Sequence, residues 1–211
     1  MKQRWLVEEP PDPTAVDGAA LTAKGRRTRQ RLLEAAEVVF ADLGWESASI
    51  VKITESAGVS QGTFYRYFPS KQSIFDELVA DLNRRVRHAM SEGAAKGQNR
   101  VAAERYGFEA FFRFTAEHPG LYRVIRQAEF ASPKALHMHY DRIADGYVVA
   151  LREAMASGEI AEADPEVLAY ALMGIGELVG MRWILWGDNG MPDKVVDEMM
   201  KFIARGLGAA T

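Results

Sequence analysis

Residues 49–71 read SIVKITESAGVSQGTFYRYFPSK, and the local signals in this stretch set how the remaining sequence is interpreted. Ser49 is a residue type that caps helix N-termini, and the apolar residues Ile53 and Ala57 follow it at helical spacing. Gly58 supplies the left-handed conformation with which many helices end. The pattern therefore predicts a short helix that begins after Ser49 and ends at Gly58.

A second short helix is predicted directly after this turn. Ser60 can cap it, the helix runs from Gln61 to about Phe68, and Pro69 prevents its continuation. Ser70 then caps a third helix. Two short helices joined by a tight turn are the geometry of a helix-turn-helix unit, whose second helix lies in the major groove of DNA.

The second helix has the side chains that reading a DNA groove requires. If Phe64 and Phe68 point inward, Gln61 and Arg66 remain outside, and such side chains pair bidentately with adenine and guanine. Gly62 allows close backbone approach, and the neighbouring hydroxyls and charges suit phosphate oxygens. The simpler alternative is a helical hairpin whose aromatic residues are only core. The predicted DNA-binding residues are Arg26, Arg27, Ser49, Val51, Lys52, Ser60, Gln61, Gly62, Thr63, Tyr65, Arg66, Tyr67 and Lys71.

The same stretch resembles a known family. The matching positions are Ala57 to Ser60, Gly62 to Tyr65, Tyr67, Phe68, Ser70 and Lys71, preceded by Ala35, Ala36, Phe40 and Gly44. Together they resemble the DNA-binding domain of the TetR family of bacterial transcriptional regulators, over about residues 26–82. The resemblance implies a homodimeric repressor that releases its operator, a double-stranded DNA site, when a small molecule binds. It does not identify that molecule, because the remaining residues are similar only in length and helical character.

The charge is unevenly distributed along the chain. The 211 residues carry a net charge of -3, but residues 22–71 hold eight Lys and Arg against five Asp and Glu. Residues 72–211 hold sixteen against twenty. A basic patch on an acidic body is typical of a protein that meets phosphate with one face only. The chain has no cysteine, which excludes disulfides and thiolate metal sites and fits a cytoplasmic location.

The sequence divides into three predicted segments. Residues 1–21 are rich in proline and acids without a helical or strand period, which predicts a flexible N-terminal extension. Residues 22–70 are the predicted DNA-binding domain, whose first helix ends at Gly44. Residues 71–211 are the predicted ligand-binding and dimerisation domain.

The predicted fold is all-α, with about nine helices: three in the DNA-binding domain and six in the body. The helix after Lys71 is expected to end near His88, before a break over residues 91–99, and to be shared by both domains. The apolar run near the N-terminus is too short for a signal peptide. Since eighteen uninterrupted apolar residues occur nowhere, no membrane span is expected.

The body has more aromatic and methionine residues than a small helical domain needs, which favours a pocket for an apolar small-molecule effector. The alternative for each residue is ordinary core. Glu177 is the one acid among them, and it is either a polar anchor in the pocket or half of an interface ion pair. The predicted ligand-binding residues are Phe108, Phe111, Phe112, Tyr122, Tyr140, Tyr147, Met173, Glu177, Met181 and Trp183.

Residues 165–186 are apolar on nearly all sides, so this helix must be covered on more than one side. With the last helix, which repeats apolar residues from Val195 to Ile203, it predicts a four-helix homodimer interface across a two-fold axis. The alternative is a helix buried wholly within one subunit.

An enzyme is disfavoured. The histidines His118, His137 and His139 do not form a metal-binding pattern, and phosphate-binding loops and nucleophile motifs are absent from the sequence. We therefore expect no cofactor and no metal. The remaining alternative is a DNA-binding protein with an architectural or partner-recruiting body and no small-molecule ligand.

Overall fold

The computed structural model describes residues 14–188 and 190–209. Within these ranges the protein is all-α, with nine α-helices and no strand. The helices are α1 (Ala23–Ser47), α2 (Ile50–Ala57), α3 (Gln61–Tyr67), α4 (Lys71–Ala94), α5 (Arg100–Glu117), α6 (Gly120–Ala131), α7 (Pro133–Ala156), α8 (Pro165–Gly180) and α9 (Asp193–Gly206). A π-helical segment, Met181–Leu185, continues α8. The predicted all-α fold is confirmed.

The ends of α2 and α3 follow the cap signals in the sequence. The Ser49 hydroxyl accepts a hydrogen bond from the backbone N–H of Lys52 at 3.3 Å, and the Ser60 hydroxyl accepts one from that of Thr63 at 3.2 Å. Gly58 leaves α2 in the left-handed conformation, with φ of 62°. Each side chain thus satisfies a backbone donor that the helix itself leaves unpaired.

Gly44 interrupts α1, as the sequence predicts. Its φ of 75° breaks the helix, and one further turn follows before the chain reaches α2. At the start of α4, Ser70 and Ser73 cap each other: each hydroxyl accepts a hydrogen bond of 3.1 Å from the other residue's backbone N–H.

The chain forms two compact units. The helix-turn-helix unit comprises residues 14–82 and 120–139, and the body unit comprises residues 83–119 and 140–209. These units differ from the domains drawn from the sequence, because α6 lies in the helix-turn-helix unit. There its Gln127 side chain donates a hydrogen bond of 3.0 Å to the Phe40 carbonyl of α1. Gly120 also lies so close to Glu37 that a Cβ would come within 3.0 Å of its side chain.

Aromatic residues form the core of the helix-turn-helix unit. Phe40, Phe64, Phe68 and Phe75 are all fully buried. Phe75 of α4 packs edge-on against Phe40 of α1, with ring centroids 5.0 Å apart. The ring of Trp45 packs against Phe75 at the same distance, 5.0 Å. A helix as short as α3 is unstable alone in water, so this core holds it in place.

Residues 14–21, which the sequence assigns to a flexible extension, make specific contacts in the structure. Ala15 and Leu21 are buried, and Val16 donates a backbone hydrogen bond of 3.0 Å to the Arg66 carbonyl. That carbonyl lies in the last turn of α3, where carbonyls have no partner within the helix. The short loop therefore closes the end of α3. Residues 1–13 of the predicted extension lie outside the described residues.

Helix α4 continues to Ala94, so its predicted end near His88 is wrong. Gly93 does not break the helix. A Cβ at this position would lie 2.4 Å from the Tyr106 carbonyl oxygen, so glycine is what allows α5 to approach α4 closely. The break is shorter than predicted and begins after Ala94.

Candidate nucleic-acid interface

The exposed face of α3 carries the polar residues that the sequence singles out. Gln61, Gly62, Tyr65 and Arg66 are exposed, and Thr63 is half-buried. Apart from the neighbouring residues and the backbone of α3 itself, the atom nearest to a Cβ built at Gly62 is the Ser60 hydroxyl oxygen at 3.9 Å, so the backbone here is open to an approaching surface. Major-groove reading requires a helix with a hydrogen-bonding face outside and a buried side, here aromatic, that fixes the helix to the protein.

Helix α2 directly precedes α3 in the chain, and its first turn exposes Val51 and Lys52. Ser49 and Ser60, predicted to contact DNA, use their hydroxyls as helix caps. The Ser60 and Thr63 hydroxyl oxygens also lie 3.0 Å apart and share a hydrogen bond. These side chains hold the two helix N-termini in shape, and the N-termini present backbone N–H groups that suit phosphate.

Tyr67 differs from the other predicted contacts because it is buried. Its hydroxyl lies 3.5 Å from the position that a Cβ on Gly25 would occupy, at the first turn of α1. The ring therefore belongs to the core of the helix-turn-helix unit.

Lys71 is tied to the end of α1. Its ammonium group donates hydrogen bonds to the carbonyls of Trp45 at 2.8 Å and Ala48 at 3.0 Å, and lies 4.2 Å from the centre of the Trp45 ring. Lys52 donates to the Ser47 carbonyl at 3.1 Å. Cations are favourable at helix C-termini, where carbonyls are unpaired. Two lysines predicted to meet phosphate thus also hold the connection between α1 and α2.

The arginines of α1 have equally specific partners. Arg26 donates to the Leu21 carbonyl at 2.7 Å, whereas Arg27 is exposed. Arg31 donates to the carbonyls at the end of α2. Arg29 pairs with Glu77 of α4, and its guanidinium lies 4.8 Å from the centre of the Phe68 ring. Sequence reasoning missed the roles of Arg29 and Arg31, because their partners lie 48 and 26 residues away.

The predicted ligand-binding residues are divided between the two units. Tyr122, on α6, lies in the helix-turn-helix unit, and the other nine lie in the body unit. Four of those nine are buried: Phe108, Phe112, Tyr147 and Met181. The other five are half-buried: Phe111, Tyr140, Met173, Glu177 and Trp183.

Glu177 has a partner within its own subunit. Its carboxylate accepts a hydrogen bond of 3.0 Å from the Tyr140 hydroxyl, which joins α8 to α7. Among the described residues, no group of three or more His, Asp or Glu side chains could hold a metal ion. Burial lowers the pKa of His139 to about 4, so this imidazole is neutral at physiological pH.

Large apolar side chains on α8 and α9 of the body unit are uncovered. Val167 and Leu178 on α8 are 65% and 62% exposed, and Phe202 on α9 is 67% exposed. Residues Pro165–Leu185 form the one described helix that is long and apolar enough to cross a membrane by length and composition, and only 28% of its most apolar window is buried. Large exposed apolar faces of this kind mark surfaces that another molecule covers.

Comparison with known proteins gives consistent matches. Residues 32–78 match the family model described as bacterial regulatory proteins, tetR family. The uncharacterised HTH-type transcriptional regulator YdgC of Bacillus subtilis is 28% identical over 196 residues, which cover 89% of this chain and 96% of that protein. The nucleoid occlusion factor SlmA of Mannheimia succiniciproducens is 23% identical, covering 93% and 94% of the two chains.

A solved structure has the same fold. The transcriptional regulator FadR of Bacillus subtilis, determined in complex with stearoyl-CoA, superposes with a TM-score of 0.74. The identity is 20%, and the match covers 84% of this chain and 98% of that one. At this level of identity, the likeness is one of fold.

The geometry of Lys71 generates a stability prediction. Replacing Lys71 with Met removes two hydrogen bonds from a charged donor, so we expect the free energy of unfolding to fall by roughly 1–3 kcal/mol. Lys52→Met removes one bond at an exposed site and should cost less than about 1 kcal/mol. Urea denaturation of both variants and the wild type at neutral pH measures the difference. Equal losses in the two variants would contradict a structural role for Lys71.

Proposed function

Since the chain is a member of the TetR family of bacterial transcriptional regulators, we propose that it is a homodimeric repressor released from its operator by an apolar small molecule. The observation that supports DNA binding is that α3 exposes a polar face while its aromatic residues Phe64 and Phe68 are buried. We place the DNA-binding domain at residues 22–70 and the ligand-binding and dimerisation domain at residues 71–211. The protein acts in the cytoplasm as a regulator, not as an enzyme.

In this proposal, Gln61 and Arg66 read base edges, and exposed polar residues and helix N-termini beside them position the helix on phosphates. Arg27 and Lys52 are exposed cations beside the interface, which suits them to phosphate. An ammonium group has three N–H donors, and Lys71 uses two of them on carbonyls. It retains one donor for a phosphate oxygen.

The uncovered face of α8 and α9 supports the homodimer. A second copy of the chain presents the same apolar face, so a two-fold axis buries both. The alternative role for Pro165–Leu185, a membrane span, would leave Glu177 and Arg182 in hydrocarbon. Two helix-turn-helix units related by a two-fold axis would read half-sites about 34–36 Å apart, or a multiple of that distance.

The effector is proposed from the aromatic body and from relatives. FadR, of the same fold, is known with stearoyl-CoA, which supports a long apolar chain as the effector class. Because α6 packs on α1 within the helix-turn-helix unit, a ligand that favours a different position of α6 or α4 would alter the placement of α3. The effector needs no contact with DNA.

The similarity to a nucleoid occlusion factor favours a second candidate function. In that case the protein binds specific DNA, and its body recruits another protein instead of a small molecule. Specific DNA binding is common to both functions. Sensitivity of DNA binding to a small molecule distinguishes them.

The first prediction concerns sequence reading. Gln61→Ala and Arg66→Ala should each cost roughly 1–3 kcal/mol at the cognate base and relax the preferred sequence there. Arg27→Ala should weaken all sequences alike and lower the salt dependence by about one phosphate contact. Binding-site selection and salt titration measure these effects. An unchanged selected motif for both α3 variants would refute the assignment of α3 to the groove.

The second prediction concerns assembly. Leu178→Asp or Phe202→Asp places a charge in the proposed interface, so either variant should sediment as a monomer and bind operator weakly. Val149→Asp, on the exposed face of α7, is the matched control and should leave the dimer intact. A wild-type chain that sediments as a stable monomer at micromolar concentration would rule out the dimer.

The third prediction concerns release. Long-chain fatty acids, alcohols and acyl-CoA esters are tested for an effect on operator affinity, and the effector class should lower it about 5- to 150-fold. By reciprocity, operator DNA must weaken binding of the active compound by the same factor, which calorimetry measures. Operator binding that no compound alters would favour the partner-recruiting function.

A further inference from the structure

The first turns of α5 place a charged pair inside the body unit. The side chains of Arg100 and Glu104 are each only 2% exposed, and Arg100 Nη2 lies 3.1 Å from Glu104 Oε1. Phe108 and Phe112 follow at further steps of four residues and are buried in the core of the body unit. One stripe of α5 therefore presents first an ion pair and then two aromatic rings to the interior.

The hydrogen bonding of this pair is incomplete. A guanidinium has five N–H donors, and three of them belong to Nε and Nη1. In the described part of the chain, Arg100 Nε and Nη1 and Glu104 Oε1 are buried without a hydrogen-bond partner. The close contact between the two side chains is thus electrostatic, without hydrogen-bond alignment. Leaving buried donors of a charged group without acceptors is costly, so such groups call for an explanation.

The neighbouring groups do not supply the missing acceptors. Glu159, in the connection between α7 and α8, uses its carboxylate on the backbone N–H of Arg100 and on the Ser157 hydroxyl. Tyr147 of α7 faces the pair. Burial raises the pKa of this phenol, and the nearby Glu104 raises it further, so the hydroxyl is neutral. Of these four described groups, Arg100, Glu104, Tyr147 and Glu159, Arg100 is the only cation.

We propose that Arg100 binds the carboxylate of an amphipathic effector whose apolar chain lies along Phe108 and Phe112. This assignment rests on the proposed ligand-dependent function and specifies its ligand as an acid. A carboxylate oxygen pair matches the planar guanidinium, and it would accept hydrogen bonds from Nε and Nη1.

Charge balance determines how the acid binds. A buried site with one cation and two carboxylates is unfavourable, so the incoming carboxylate displaces Glu104 from Arg100 and Glu104 takes a proton from solvent. Burial already raises the pKa of Glu104. The buried part of the site then contains Arg100 as a cation, the effector as an anion and Glu104 as a neutral acid, while the exposed Glu159 carboxylate remains on the Arg100 backbone N–H. Affinity should fall as the pH rises above the raised pKa of Glu104, because each binding event requires a proton there.

The test compares decanoate with 1-decanol, which share a chain length and differ in head group. Calorimetry in two buffers with different ionisation enthalpies should detect uptake of about one proton per decanoate bound and none for decanol. Arg100→Gln should weaken decanoate at least tenfold and leave decanol nearly unchanged. Glu104→Gln removes the competing carboxylate, so it should tighten decanoate binding and abolish the proton uptake.

The variants separate this role from a purely structural one. Damage to the fold does not strengthen binding, so tighter decanoate binding by Glu104→Gln is specific to the proposal. Arg105→Gln alters the next residue, which pairs with Asp197 and Glu109, and should leave the difference between the two compounds intact. If the wild type and Arg100→Gln each bind decanoate as tightly as decanol, the assignment of Arg100 is overturned, but the apolar effector is not. Failure of both compounds to bind the wild type would overturn the apolar effector as well.

Discussion

The burial of aromatic rings beneath α3 is the interaction on which the DNA-binding surface depends. A helix of seven residues has too few internal hydrogen bonds to persist in water. Phe64 and Phe68 are fully buried with their ring centroids 5.7 Å apart, and removing one such ring typically costs about 3–5 kcal/mol. Because the inward residues are fixed, the outward residues Gln61 and Arg66 keep a fixed spacing on the surface.

Cations held by backbone carbonyls support this arrangement at its edges. Arg31 donates to the end of α2, and Lys71 and Lys52 donate to the end of α1. The same type of side chain therefore serves two purposes in one small unit: some cations stabilise helix ends, and exposed ones such as Arg27 are free to approach phosphate. The number of basic residues in such a unit therefore does not give the number of its phosphate contacts.

The body unit combines close packing on one side with an uncovered face on the other. Gly93 allows α5 to lie against α4, and the stripe of α5 that begins at Arg100 is directed into the core. Val167, Leu178 and Phe202 remain exposed on α8 and α9. Apolar side chains in water are unfavourable, so these exposed residues are suited to being covered by another molecule.

Helix type and most helix ends were predictable from the sequence because caps act over two to four residues: Ser49, Gly58, Ser60 and Gly44 each set a boundary through neighbouring backbone groups. The outward position of the polar α3 residues followed from helical periodicity for the same reason. Contacts between distant residues were not predictable. From the sequence, Gly93 is interpreted as a helix breaker, but in the structure it allows the close approach of Tyr106. Likewise, the sequence gives no sign that Val16 binds the Arg66 carbonyl, or that Lys71 donates to the carbonyls of Trp45 and Ala48. These outcomes depend on which parts of the chain meet in three dimensions, and local sequence patterns contain no information about that.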